Sequence, residues 1–133
     1  MSKKNCSQKA PIFISVKLSE LDLSIRRGLS CGGYNLYINI TIDEGKTCET
    51  ERRKTFKADR TIKWPNEKLG SCKNIELDAN LEQIKFRIET DNGGDKFCPG
   101  KLTFKMKNGG LFIKDNMTEW EDSHPGVATK VVV

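Results

Sequence analysis

Hydrophobic and polar residues alternate along three stretches of this chain. The apolar positions, at every second residue, are Leu36, Ile38, Ile40 and Ile42, then Ile84, Phe86 and Ile88, and finally Leu102, Phe104 and Met106. Because successive side chains of a β-strand point to opposite faces, each stretch has one face suited to a core and one suited to water. Half-buried strands of this kind need neighbours, so the pattern predicts a mostly antiparallel β fold.

Shorter segments complete the predicted sheet. An apolar alternation starts at Ile12 and resumes one register later at Leu21, which predicts a β-bulge or a break between two strands at Ser19-Glu20. The remaining predicted strands are 47–56, whose charge favours an edge position, and 61–64, 72–77, 111–114 and 127–133. About eight strands at this spacing are typical of an antiparallel β-sandwich. We expect residues 1–10 to form a flexible tail and residues 11–133 a single sandwich domain.

Cysteines and sequons indicate the compartment. The chain of 133 residues has five cysteines and one histidine, and no C-x-x-C pair, which favours disulfides over structural zinc. Sequons at Asn39 and Asn116, and a third at Asn5, are acceptors for N-linked glycans. The apolar run 11–16 is shorter than a signal-peptide core, and none approaches the roughly 20 residues of a membrane helix. A cytosolic protein and a mature domain without its signal peptide are both open on that ground, and the cysteines and sequons favour a secreted, disulfide-linked glycoprotein without a transmembrane segment.

One disulfide is predicted from an expected hairpin. If 73–77 and 82–90 pair as a hairpin, Cys72 and Cys98 leave it at the same end, within bridging distance. Cys31 and Cys48 flank opposite ends of a long strand, so a bond between them is not expected. We expect either of these two to bond with Cys6 or to stay free.

Catalytic groups are sparse in this sequence. The single histidine, His124, lies in a turn-like segment, and an adjacent serine alone does not make a catalytic triad. Nucleophile-elbow, phosphate-loop and zinc-protease motifs are missing from the sequence. The sequence therefore predicts a protein that is not an enzyme, and a small hydrolase with paired carboxylates is the catalytic alternative.

Two acidic loops offer oxygen ligands of the kind that calcium takes. Asp91 and Asp95 lie in a glycine-rich loop, and Asp43 and Glu44 lie in another. Acidic residues also favour turns by bonding to their own backbone. Calcium binding and plain turn chemistry are therefore both open, and calcium is the one cofactor considered.

Basic residues suggest an anionic partner. The net charge is +5, and one basic cluster comprises Arg52, Arg53 and Lys54, followed by Lys57, Arg60 and Lys63. A second set, Lys101, Lys105 and Lys107, lies on the polar face of a predicted strand. Either set suits an acidic polymer, a lipid headgroup or an acidic protein. Phe56, Phe86 and Phe104 are predicted to point inward, so nucleic acid, which needs exposed stacking rings, is not expected.

Four segments stand out together: the glycine-led strand 33–40, Gly45-Lys46-Thr47 with 52–54, the Leu-x-x-Ile strand 81–88, and Asp91-Asn92-Gly93. They resemble the PLAT domain, the β-sandwich of lipoxygenases, lipases and polycystins. The resemblance covers roughly residues 28–107, and Phe97-Cys98-Pro99 replaces the tryptophan that usually follows the acidic loop. It implies a non-catalytic sandwich that docks on lipid or protein, in some members with calcium at loop ends such as Asp91 and Asp95.

The leading hypothesis from these observations is a secreted, non-catalytic binding module. Its partner would be a lipid, a glycan or a protein, with calcium as a candidate helper. The alternative is a structural or interaction protein, such as a matrix, toxin or immune component, that takes no small ligand.

Overall fold

The computed structural model describes residues 14–26, 36–56, 60–90, 98–117 and 123–132. These contain ten strands: β1 Ser15–Ile25, β2 Tyr37–Asp43, β3 Thr47–Glu49, β4 Arg53–Lys54, β5 Thr61–Trp64, β6 Glu76–Asp78, β7 Gln83–Thr90, β8 Pro99–Met106, β9 Leu111–Lys114 and β10 Ser123–Lys130. Two short 3-10 helices, Asn66–Lys68 and Gly70–Asn74, lie between β5 and β6. All the strand pairs are antiparallel, so the predicted all-β class is confirmed.

Hydrogen bonds connect the strands into one curled sheet. The strand order is β3-β2-β7-β10-β9-β8-β1-β5, with β4 beside β2 and β6 beside β1. The two separate sheets of the predicted sandwich are not evident in this order. Within the described ranges, no helix is long and apolar enough to cross a bilayer.

The predicted alternation is confirmed in the core. Ile38, Ile84 and Phe104 are fully buried, and they belong to one cluster that also takes the inward side chains of β1, β5 and β8. The Phe86 ring lies against Gly126, where a Cβ would overlap the ring, and its centroid is 5.7 Å from that of Phe104. Two aromatic rings therefore join β10, β7 and β8 on the concave side of the sheet.

Among the described strands, the register shifts at three places, one of them between Leu23 and Ile25 of β1. The register of β1 against β8 shifts between Leu18 and Glu20, which confirms the predicted bulge at Ser19-Glu20. A second bulge separates β3 from β4. Thr41 pairs with Glu49 and Ile38 pairs with Arg53, so three steps along β2 (41 − 38) match four along the opposite strand (53 − 49). One extra residue is accommodated at Glu51-Arg52, and side chains beyond it switch faces.

A buried threonine anchors the chain on each side of this second bulge. Thr50 donates its N–H to the Ile40 carbonyl, and its Oγ1 accepts the Ile40 N–H, both at 2.9 Å. Thr55 makes the same two bonds with Leu36, at 2.8 and 3.1 Å. Each hydroxyl oxygen takes the place of a main-chain carbonyl as the acceptor, so the N–H groups of Leu36 and Ile40 keep a hydrogen bond.

The bulge also brings the two ends of the curled sheet together. The Glu51 carbonyl accepts the indole N–H of the fully buried Trp64 at 2.8 Å, and the Glu51 N–H donates to the Lys68 carbonyl at 3.1 Å. A disulfide joins Cys48 of β3 to Cys72 of the second 3-10 helix. Because β3 and β5 are opposite ends of the strand order, these contacts close the sheet.

The predicted Cys72–Cys98 disulfide is wrong, because Cys72 is bonded to Cys48. The hairpin on which it rested does not form. β6 pairs with β1, so the chain crosses from one end of the sheet to β7 near the other. The expectation that Cys48 would bond with Cys6 or stay free is wrong for the same reason. Cys98 is also disulfide-bonded, and its partner is not among the cysteines that the structure describes.

Replacing Gly70 by alanine should destabilise the fold more than replacing Gly45. Both glycines have positive φ, which costs an alanine about 1–2 kcal/mol. A Cβ at Gly70 would also overlap the Glu49 carbonyl, whereas nothing lies within 4 Å of one at Gly45. We expect Gly70→Ala to lower the free energy of unfolding by roughly 3 kcal/mol or more, measured by urea denaturation. Equal losses in both variants would contradict the close packing at Gly70.

Removing the Cys48–Cys72 disulfide should lower stability without changing the strand pattern. The cysteines are 24 residues apart, and freeing such a loop in the unfolded chain corresponds to about 3 kcal/mol. The double variant Cys48→Ala/Cys72→Ala should therefore melt roughly 10 °C lower, with an unchanged far-ultraviolet circular dichroism spectrum. An unchanged melting temperature would show that this bond does not hold the ends of the sheet.

Candidate functional site

A groove lies where the two ends of the curled sheet meet. β4 is bonded to β2 and β5 is bonded to β1, and both line one cavity of 250 Å³. Its lining residues are Arg53, Lys54, Phe56, Thr61, Ile62 and Lys63. We call this cavity the seam groove. It combines cationic and aromatic side chains in one concave place.

Two exposed aromatic rings flank a lysine at the groove. The Lys54 ammonium lies 5.8 Å from the ring centroids of both Tyr37 and Phe56. Tyr37 is 42% exposed and Phe56 is 56% exposed. Contacts of a cation with the faces of such rings are attractive, so the rings help to hold Lys54 in place. They also leave apolar surface open to a partner.

The predicted inward position of Phe56 is wrong. Continuing the alternation from the buried Cys48 and Thr50 would bury Phe56. The extra residue at Glu51-Arg52 reverses the faces, so that Thr55 is buried and Phe56 is exposed. Sequence reasoning missed this aromatic wall of the groove because nothing local distinguishes the bulge from a continuous edge strand.

Arg53 is the least compensated cation of the site. Its side chain is half-buried, and it makes no ion pair or hydrogen bond with any described residue. A guanidinium has five donors in a planar fork, and leaving them unbound away from bulk water is unfavourable. Its geometry suits a carboxylate, sulfate or phosphate, which two parallel N–H groups can hold.

The predicted basic residues are not all at the seam groove. Arg52 is exposed and lies with Glu49 and Glu89 in a separate polar hollow. Lys101 on β8 and Lys107, one residue after it, are exposed, and β1 lies between β8 and the β5 side of the groove. The structure therefore brings Arg53 and Lys54 together with Lys63, and it leaves the β8 lysines elsewhere.

The positive charge of Lys105 is compensated by two carboxylates of β1. Its ammonium lies 3.0 Å from the Asp22 carboxylate and 3.4 Å from that of Glu20. The hydrogen bond and charge of Asp22, more than those of Glu20, raise the pKa of Lys105. This lysine of the predicted binding set is therefore engaged within the sheet and contributes little to attracting an anion.

The predicted metal ligands are only partly described. Asp43 is exposed, and the Glu44 carboxylate accepts the backbone N–H of Lys85 at 2.6 Å, which extends the ladder between β2 and β7. Asp91 and Asp95 lie outside the described residues. Across residues 14–26, 36–56, 60–90, 98–117 and 123–132, no three His, Cys, Asp or Glu side chains form a group that could hold a metal. Calcium binding stays a prediction.

Two of the sequons have described asparagines. Asn39 is half-buried on the outer side of β2, and Asn116 is exposed with a φ of 54°, in the left-handed region that asparagine tolerates. Asn5 lies outside the described residues. Glycosylation at Asn39 and Asn116 stays a prediction.

A wider hollow of 540 Å³ lies on the outer face of β2, β7 and β10. Lys85, Arg87 and Val127 line it, together with Asp43. The seam groove differs from this hollow in having an exposed aromatic ring, Phe56, and a half-buried cation without a counterion among the described residues. We therefore take the seam groove as the candidate functional site.

Comparisons with protein-family models, with curated proteins and with solved structures gave no match to this chain. The PLAT resemblance therefore stays an expectation from the quoted segments. The function proposed below depends on the chain's own contacts and charges.

The only histidine of the chain should make stability depend on pH. Burial, and secondly the Lys114 charge, lowers the pKa of His124, so the folded protein takes up its proton less readily than the unfolded chain. The stabilising effect of the neutral imidazole is complete above the ordinary pKa of about 6.5 and declines as the pH falls below it. We expect the free energy of unfolding to decrease between about pH 7.5 and pH 5.5, and to decrease less in His124→Gln. Denaturant unfolding across this range tests it, and parallel profiles would contradict it.

Proposed function

We propose that this protein is a non-catalytic binding module that holds an anionic partner in the seam groove. The observation that carries the proposal is Arg53, a half-buried arginine with no counterion among the described residues. A partner carboxylate or sulfate would supply the missing acceptors. Lys54 and Lys63 line the same groove and add to its positive potential.

The chemistry of the groove supports selective rather than merely electrostatic attachment. Hydrogen bonds to a charged group contribute about 1.5–3 kcal/mol, and a bidentate pair also fixes orientation. The exposed faces of Tyr37 and Phe56 offer apolar contact beside the charges. The net charge of +5 adds a long-range attraction that speeds encounter with an anion.

Secretion is part of the proposal. The Cys48–Cys72 disulfide is of a kind that persists in oxidising compartments. The PLAT resemblance agrees with a docking module and with a protein partner. In the alternative of a structural or interaction protein, the same groove would meet another macromolecule of a larger assembly.

Binding should depend on Arg53 more than on charge alone. Poly-L-glutamate and heparin are suitable anionic probes, followed by isothermal titration calorimetry at low and at physiological salt. We expect Arg53→Gln to weaken binding of the better probe at least about tenfold, because one charge-assisted contact is lost. The matched variant Arg87→Gln removes an exposed arginine on the outer face of β7 and should change the dissociation constant less than about twofold.

Equal weakening by Arg53→Gln and Arg87→Gln would reduce the effect to general charge attraction and would overturn the proposed site. Phe56→Ala offers a second check. It keeps every charge, and we expect it to weaken binding by several-fold through the loss of apolar contact.

A further inference from the structure

We infer that the partner of the seam groove is an acidic peptide that adds as a strand to the unpaired edge of β5. This inference rests on the proposed function and names the class of its ligand. It comes from the direction in which main-chain groups point on the two strands that flank the groove.

The free edge of β5 offers main-chain groups at Thr61 and Lys63. Ile25 donates its N–H to the Arg60 carbonyl at 2.8 Å, so residues 25 and 60 form a hydrogen-bonded pair. Hydrogen-bonded and non-hydrogen-bonded pairs alternate along an antiparallel ladder, so the next hydrogen-bonded pair is Leu23 with Ile62. The N–H and C=O groups of Thr61 and Lys63 therefore point away from β1, and they have no partner among the described residues.

The same argument applies to β4 on the other side of the groove. Thr55 donates its N–H to the Leu36 carbonyl, so the pair of Ile38 with Arg53 is also hydrogen-bonded. The main-chain groups of Lys54 consequently point away from β2. Two open strand edges thus line one groove, and a row of unpaired N–H and C=O groups is a template for another strand.

Charge selects an acidic peptide for this position. Arg53 is half-buried without a counterion among the described residues, and Lys54 is exposed between two rings. Lys63 lies 3.8 Å from Asp22, but its side chain is 64% exposed, and exposed pairs of this kind contribute little. Carboxylates on an added strand would meet cations on both sides of it.

Main-chain recognition favours a peptide over a sugar chain or a bilayer. Thr61 and Lys63, whose main-chain groups point away from β1, both line the groove. Only a polypeptide repeats donors and acceptors at the spacing that a strand edge requires. A flat bilayer would meet protruding side chains rather than the floor of a concave groove.

Backbone-methylated peptides test the inference on the intact protein. The parent is a short capped peptide in which glutamate alternates with threonine, and two derivatives carry N-methyl groups on the glutamates or on the threonines. Only alternate N–H groups of an added strand face β5, which presents the outward carbonyls of Thr61 and Lys63, whereas β4 presents only that of Lys54. The derivative methylated on the β5 side should therefore bind several-fold more weakly than the other by fluorescence anisotropy. Parent-like binding of both derivatives, or equal weakening of both, would overturn the inference.

A protein variant tests the same contact from the other side. Thr61→Pro removes one outward N–H at the first residue of β5, where proline is tolerated, and Thr61→Val keeps it. We expect the proline variant to weaken peptide binding several-fold relative to valine, with heparin binding unchanged and melting temperatures matched. Identical peptide affinities of the two variants would argue against strand addition.

The two proposals fail in different ways. If heparin binds in an Arg53-dependent manner and the peptide neither binds nor competes, the peptide inference is overturned and the anion site stands. If neither probe shows dependence on Arg53, both are overturned.

Discussion

The structure depends on how the two ends of the curled sheet are held together. The carbonyl of Glu51 accepts the buried indole N–H of Trp64, and the adjacent Cys48–Cys72 bond ties the same region to the helix after β5. A sheet of short strands has two open edges, and each is exposed to unwanted pairing. Joining the ends through a side chain and a covalent bond shortens those edges without closing the hydrogen-bond ladder, and the remaining opening is the seam groove.

The extra residue at Glu51-Arg52 serves two purposes at once. It turns the Glu51 main chain toward Trp64, and it reverses the faces of the residues that follow. As a result Phe56 is exposed and Arg53 lies half-buried in the groove. The closure of the sheet and the chemistry of the candidate site therefore have a single structural origin, as is common for bulges beside functional sites.

The local alternation of apolar and polar residues identifies the strands but does not show which strands pair with each other. Alternation around Ile38, Phe86 and Phe104 identified three core strands, and the slip at Ser19-Glu20 identified a real bulge. Strand pairing is decided by contacts distant in sequence, so the place of β6 beside β1 and the partner of Cys72 could not be read locally. The two carboxylates beside Lys105 belong to another strand, so the local pattern alone presents this residue as an unpaired lysine of a polar face.

The paired hydrogen bonds of Thr50 and Thr55 have a consequence for how this surface can diversify. Each threonine fixes its own register against β2 through two bonds, and in one of them a buried hydroxyl oxygen accepts a backbone N–H of β2. The side chains of the four residues between them are thereby relieved of holding the strand in place, since their contribution to it is made by the main chain. Mutation can exchange charge, size or aromatic character along this arc while the scaffold keeps its geometry, as in loops that vary on a fixed framework. These four residues are therefore a compact stretch in which natural drift or laboratory selection can alter the preference for a partner.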